Sequence, residues 1–108
     1  ISSDYSVARA QHYIEQHYSE NITVELLAGL TYISSSSLSH KFKSEMGVSP
    51  IDYLLEVRLQ KAQNMMRRKN VSLTDVAESC GFSSLSHFSK YFTSKMGMTP
   101  TEYIKHYV

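Results

Sequence analysis

Residues 22–54 and 71–104 are two copies of one pattern, and this duplication constrains the fold more than any other feature of the 108-residue chain. Ala28 matches Ala77 at an offset of 49 residues, and from Phe42 and Phe92 onward the offset is 50. Met46/Met96, Gly47/Gly97, Pro50/Pro100 and Tyr53/Tyr103 follow in register, so one residue is inserted in the second copy, near Ser84. Two copies are too few for a solenoid, which needs about three or more stacked units. The pattern therefore reads as a pseudo-duplicated domain.

Punctuation residues divide each copy into the same parts. Thr23 and Ser72 precede apolar-periodic runs and suit N-cap positions, where a hydroxyl accepts from an orphan backbone N–H. Short helices over about 24–30 and 73–80 follow. After a tight turn, Ser34 and Ser83 are expected as the next caps, opening longer helices that run to Met46 and Met96. Gly47 and Gly97 then suit left-handed C-caps. Ser49-Pro50 and Thr99-Pro100 start a third helix in each copy, since a first-turn proline loses no intrahelical bond.

The third helix of the first copy is long, about 50–68, and Leu55, Leu59, Ala62 and Met66 predict one apolar stripe along it. A helix over about 5–18 precedes the first copy. No stretch sustains period-two alternation. The expected fold is all-α: seven helices, with two helix-turn-helix subdomains (about 5–49 and 69–108) joined by a linker helix over 50–68. The connection Lys69-Asn70-Val71 is short, so the two units are not expected to tumble freely.

Composition narrows the class. Apolar residues at 42% and charged residues at 19% fit one folded domain with a modest core. No apolar run reaches the roughly 18 residues that span a bilayer, so no membrane partner is expected. Ile1-Ser2-Ser3-Asp4 lacks an initiator Met and a signal-peptide pattern, and the chain reads as a piece of a longer protein. The lone Cys80 cannot form an internal disulfide, which fits a reducing cytoplasm. A net charge of +1 is a weak lure for nucleic acid, but charge is unevenly placed. Glu15, Glu20, Glu25, Asp52, Glu56, Asp75 and Glu78 fall in outer segments, whereas residues 84–95 carry Lys90 and Lys95 and no acid.

A short helix, a tight turn and a longer helix form the helix-turn-helix, whose second helix fits the DNA major groove. In the second copy Ala77 lets the helices approach and Gly81 can take a positive φ. Phe82, Phe88 and Phe92 would pack inward, leaving Ser86, His87, Ser89 and Lys90 outward. The same logic puts Leu38 and Phe42 inward in the first copy, with Ser36, Ser39, His40 and Lys43 outward. Serine hydroxyls, histidine and lysine suit base edges and phosphates. Tyr32 stands where the second copy has Gly81, so that turn is either built differently or strained.

The first copy, the Arg58-Leu59-x-x-Ala62 spacing of the linker helix, and the signature Gly81-Phe82 through Phe88, Phe92, Gly97, Pro100 and Tyr103 together resemble the DNA-binding domain of AraC/XylS-type bacterial transcription regulators. The resemblance covers nearly the whole chain. It implies a bilobal domain on double-stranded DNA, with recognition helices at about 35–46 and 84–96 in successive major grooves. Ser36, Ser39 and His40, and Ser86, His87 and Lys90, match its base-contacting positions. It also implies a companion domain on the same chain that senses a small molecule or a phosphorylation signal. Two features depart from it: Tyr32, and the serines from Ser34 to Ser37 that open the first recognition helix, poor helix formers at mid-helix.

Other readings were weighed against this one. His12 and His17 are five residues apart, a poor spacing for a shared metal, and no carboxylate or thiol completes a set. Cys80 reads as a small buried thiol rather than a nucleophile. Met65, Met66, Tyr53 and Tyr103 read as core. Arg58 reads as one half of a structural ion pair, and Arg67-Arg68-Lys69 as a solvated helix end. No phosphate loop or paired carboxylates indicate an enzyme, and no cofactor is expected. The alternative function is a helical protein-interaction module that has lost DNA binding, motivated by the low charge and by Tyr32. In a mixed version one lobe reads bases while the other contacts phosphate or RNA polymerase.

Overall fold

The computed structural model describes residues 5–108, so the opening Ile1-Ser2-Ser3-Asp4 lies outside the described residues. Among those described there are seven helices and no strand: α1 (Ser6–His17), α2 (Val24–Thr31), α3 (Ser35–Met46), α4 (Pro50–Met66), α5 (Leu73–Ser79), α6 (Leu85–Met96) and α7 (Pro100–Tyr107). They cluster into two compact units that divide inside α4, one ending at Val57 and the other starting at Arg58.

Hydroxyl caps set the helix starts. Thr23 accepts from the Leu26 N–H at 3.0 Å, Ser34 from Ser37 at 3.1 Å, and Ser72 from Asp75 at 3.0 Å. Thr99 and Glu102 form a reciprocal capping box at the start of α7. In the second copy the cap of the recognition helix is Ser84, not Ser83: Ser84 Oγ accepts from the His87 N–H at 3.0 Å. Ser34 and Ser84 are thus equivalent, and Ser83 is the inserted residue. Being extra in the turn, Ser83 is exposed and pairs instead with His87 Nδ1 at 3.2 Å. The serines that open α3 occupy its cap and first turn, where their hydroxyls are favourable rather than disruptive.

The first unit is built on Val7, Ala10 and Ile14 of α1, Leu27 and Ala28 of α2, Leu38 and Phe42 of α3, and Leu54 and Val57 of α4. Phe42 meets Tyr53 edge-on at 5.6 Å. Tyr53 is only half-buried, with its hydroxyl bonded to Glu15 and accepting from Gln11. The second unit repeats the scheme fifty residues on. Phe92 meets Tyr103 edge-on at 5.4 Å, and Phe82, Phe88 and Phe92 form a continuous aromatic file.

The linker helix departs from expectation. It ends at Met66 rather than Arg68, and Leu55 and Leu59 are half-buried. Its buried residues are Leu54 and Val57 on one side of the unit boundary, and Arg58, Ala62 and Met66 on the other. Leu54, Arg58, Ala62 and Met66 recur every four residues, so the buried stripe starts one residue before the expected one and rejoins it at Ala62.

Candidate nucleic-acid interface

The two helix-turn-helix turns close in the same way. The Ile33 N–H donates to the Ala28 carbonyl at 3.4 Å, and the Phe82 N–H to the Ala77 carbonyl at 2.9 Å. These bonds span five residues, as in a helix end closed by a left-handed residue. That residue is Gly81 in the second turn (φ +91°) and Tyr32 in the first (φ +61°). The first turn is therefore strained, not rebuilt, since a non-glycine there costs roughly 1–2 kcal/mol. The Tyr32 ring is 87% exposed.

Behind each recognition helix the apolar anchors are complete: Leu38 and Phe42 in α3, and Phe88 and Phe92 in α6, have no exposed surface. Small Ala28 and Ala77, both buried, let the two helices of each motif approach. What remains outward is polar. Ser36, His40 and Lys43 are exposed on α3, with Ser39 half-buried beside them. Ser86, His87 and Lys90 are exposed on α6, with Ser89 half-buried.

Only some of these side chains share a hollow. Ser39, His40 and Lys43, together with Ser44, line a shallow hollow of about 400 Å³. Ser89 and Lys90, together with Thr93 and Ser94, line another of about 450 Å³. The four positions correspond one to one at an offset of fifty residues, and neither hollow is lined by a carboxylate. Ser44, Thr93 and Ser94 were not among the expected site residues. The register of the repeat could have found them, because it maps Lys43 onto Thr93 and Ser44 onto Ser94. The Thr93 hydroxyl is already committed, donating to the Ser89 carbonyl at 2.7 Å.

Ser36, Ser86 and His87 stand apart from the hollows, nearer the helix starts. The His87 ring packs against Phe82 at 5.6 Å in a T-shaped contact and is tied to Ser83, so its direction is fixed while the residue stays exposed. His40 and Lys90 hold equivalent positions with different chemistry, so the two outward faces are not chemical duplicates. Arg58 takes no part in this face: it is buried, and burial draws its guanidinium below its ordinary pKa.

A family profile described as "Helix-turn-helix domain" matches residues 27–106. The "Probable transcriptional regulator LumQ" of Photobacterium leiognathi is 40% identical over 92 residues, covering 85% of this chain and 37% of LumQ. The chain spans less than two fifths of the length of such curated relatives. A probable AraC family transcriptional regulator from Rhodopseudomonas palustris CGA009 superposes with a TM-score of 0.82 at 35% identity, covering 93% of this chain and 94% of that one. The DNA-binding domain of AdpA, a global transcriptional factor in complex with a target DNA, superposes with a TM-score of 0.88 at 28% identity, covering 94% and 92%.

Proposed function

The chain belongs to the AraC-type helix-turn-helix family of DNA-binding transcription regulators, and we propose that both of its lobes read bases, α3 and α6 entering successive major grooves of one duplex. The observation that carries this reading is the pair of equivalent, carboxylate-free hollows on the outer faces of the two recognition helices. A B-DNA major groove about 12 Å wide admits an α-helix presenting such a face. His40 donates to guanine N7 or O6, and Lys43 and Lys90 pair with phosphate or guanine. Ser36, Ser39, Ser86 and Ser89 supply hydroxyls to base edges or phosphate oxygens, and the exposed His87 presents its imidazole. The interaction-module reading drew on Tyr32, and with the first turn closed like the second that support is gone.

The longer relatives support placing a sensor or receiver domain on the same polypeptide as this one. RNA polymerase is the partner through which activation would act. Cytoplasmic residence is supported by the buried free thiol of Cys80. No helix among the described residues is long and apolar enough to cross a membrane.

The test is a selection of random 25-base-pair duplexes against the chain, followed by anisotropy titrations at two salt concentrations. An enriched motif in two blocks is expected, with affinity falling steeply as salt rises. A motif in one block would restrict base reading to one lobe. A flat salt response at equal affinity would remove the phosphate grip on which the whole reading depends.

A further inference from the structure

The first lobe carries a second hollow that shares no residue with the recognition face. It has a volume of about 340 Å³ and lies between α1 and the end of α2. One wall presents Arg9, His12 and Tyr13; the other presents Leu30 and Tyr32. The volume places it among ligand-sized recesses, and its walls combine apolar surface from Leu30 and the tyrosine rings with the polar ends of Arg9, His12, Gln16 and His17.

Two independent observations show that this recess is unfilled rather than merely rough. Leu30 on α2 is 37% exposed, and Tyr32 beyond it is almost wholly exposed. Tyr32 also holds its left-handed backbone at a cost its own ring does not offset by burial, whereas the second lobe uses glycine at the same point. Strain of this kind concentrates at sites that meet a ligand.

Charge identifies the occupant. No carboxylate lines the recess. His17, at its edge, is already paired with Glu20 at 2.6 Å and stacked on Tyr13. Among the described residues the Arg9 guanidinium and the His12 ring have no acidic partner. We propose that this recess is a docking site for an acidic, apolar polypeptide segment, with a large aliphatic or aromatic side chain seated between Leu30 and Tyr32 and a carboxylate on Arg9. Peptide segments that bind in grooves use this division of labour, apolar anchors for affinity and flanking charge for orientation.

Gly29 provides the test. It lies in mid-α2 at the recess, and a Cβ added there meets no atom within 4 Å. Gly29→Met therefore starts from an unobstructed Cβ, adds a long side chain at the wall of the hollow and improves helix propensity, while Gly29→Ala adds only the methyl group. A phage-displayed library of random 12-residue peptides is selected on the immobilised chain. Enriched peptides should combine Asp or Glu with Leu, Phe or Met. Synthetic copies should bind Gly29→Met at least tenfold more weakly, and Arg9→Ala at least threefold more weakly, than the unaltered chain or Gly29→Ala. Both weakened variants should keep the affinity of the unaltered chain for duplex DNA, which separates this proposal from the DNA reading.

No enrichment overturns the proposal, as does enrichment of peptides without acids or of peptides indifferent to Gly29→Met. Arg9→Ala weakening duplex binding as much as Lys43→Ala would make the recess a phosphate contact instead. If 5 mM phenylacetate raised the melting temperature of the unaltered chain but not of Gly29→Met, and no peptide were enriched, the site would belong to small carboxylates and the polypeptide proposal would fall.

Discussion

A left-handed backbone at one residue separates the two otherwise equivalent turns. Gly81 meets this geometry without steric cost, whereas Tyr32 bears roughly 1–2 kcal/mol of strain. Replacing tyrosine by glycine also frees the unfolded chain, which costs roughly 0.5–1 kcal/mol. Tyr32→Gly is thus expected to raise stability by up to about 1 kcal/mol despite deleting a large aromatic ring, while Gly81→Ala lowers it by about 1–2 kcal/mol. Urea denaturation of the two variants checks both signs; a clear loss from Tyr32→Gly would mean that the exposed ring makes a contact worth more than the strain.

Cys80 gives a second residue-scale expectation. Burial pushes its thiol from 9.0 to about 11, with Met65 Sδ 3.7 Å away. Below pH 9 the thiol is protonated in both states and its contribution to stability is fully present. As pH rises from about 9 to about 11 the unfolded thiol ionises first, so stability falls by about 1.4 kcal/mol per unit from this group. Cys80→Ser should flatten that segment of the pH–stability curve, and an aromatic disulfide reagent at pH 8 should label Cys80 only as fast as the second lobe opens.

At the scale of helices, the inserted Ser83 moves the α6 cap by one residue and so sets which side chains the helix turns outward. Ser84→Ala is expected to cost about 1 kcal/mol, as N-cap removals do. Ser83→Ala should cost only a few tenths of that, since its exposed bond to His87 is replaceable by water. Thermal melts of the pair distinguish the two; equal losses would place the cap at neither residue alone. The long α4 makes the complementary point, because it supplies buried residues to both units. Leu54 and Val57 act in the first core, Ala62 and Met66 in the second, so Leu54→Ala and Met66→Ala, at about 2–5 kcal/mol each, should report on different units when local opening is followed by hydrogen exchange.

For the molecule as a whole, the proposed function rests on two unlike readers in one chain. Lys43 in one lobe and Lys90 in the other occupy non-equivalent corners of equivalent hollows. If each neutralises one phosphate, alanine at either position should reduce the slope of log affinity against log salt by about 1, and both together by about 2. His40→Ala should instead relax preference at one base position, at a cost of about 1–3 kcal/mol for the preferred sequence. Unchanged slopes in both lysine variants would place the two lysines on bases rather than on phosphate.

The sequence by itself determined the elements and their order. Hydroxyl caps, glycine stops and first-turn prolines act within a few residues of where they stand, so Thr23, Ser34, Ser72, Gly47, Gly97, Pro50 and Pro100 were legible without any partner. The inward aromatic file and the outward face of each recognition helix followed from helical period, and the family resemblance from the signature running from Gly81-Phe82 to Tyr103. Three matters needed the tertiary structure. The choice between Ser83 and Ser84 as cap depends on which hydroxyl the turn presents, and local sequence offers both. The burial of Leu54 and Val57 in place of Leu55 and Leu59 depends on where α1, α2 and α3 approach α4, which the apolar pattern of α4 alone does not encode when Leu54, Leu55 and Leu59 are all available. Whether Tyr32 would rebuild its turn or bear the strain was decided by the packing of Ala28, Ile33 and Leu38 around it, because a closed, well-packed helix pair outweighs 1–2 kcal/mol at a single residue.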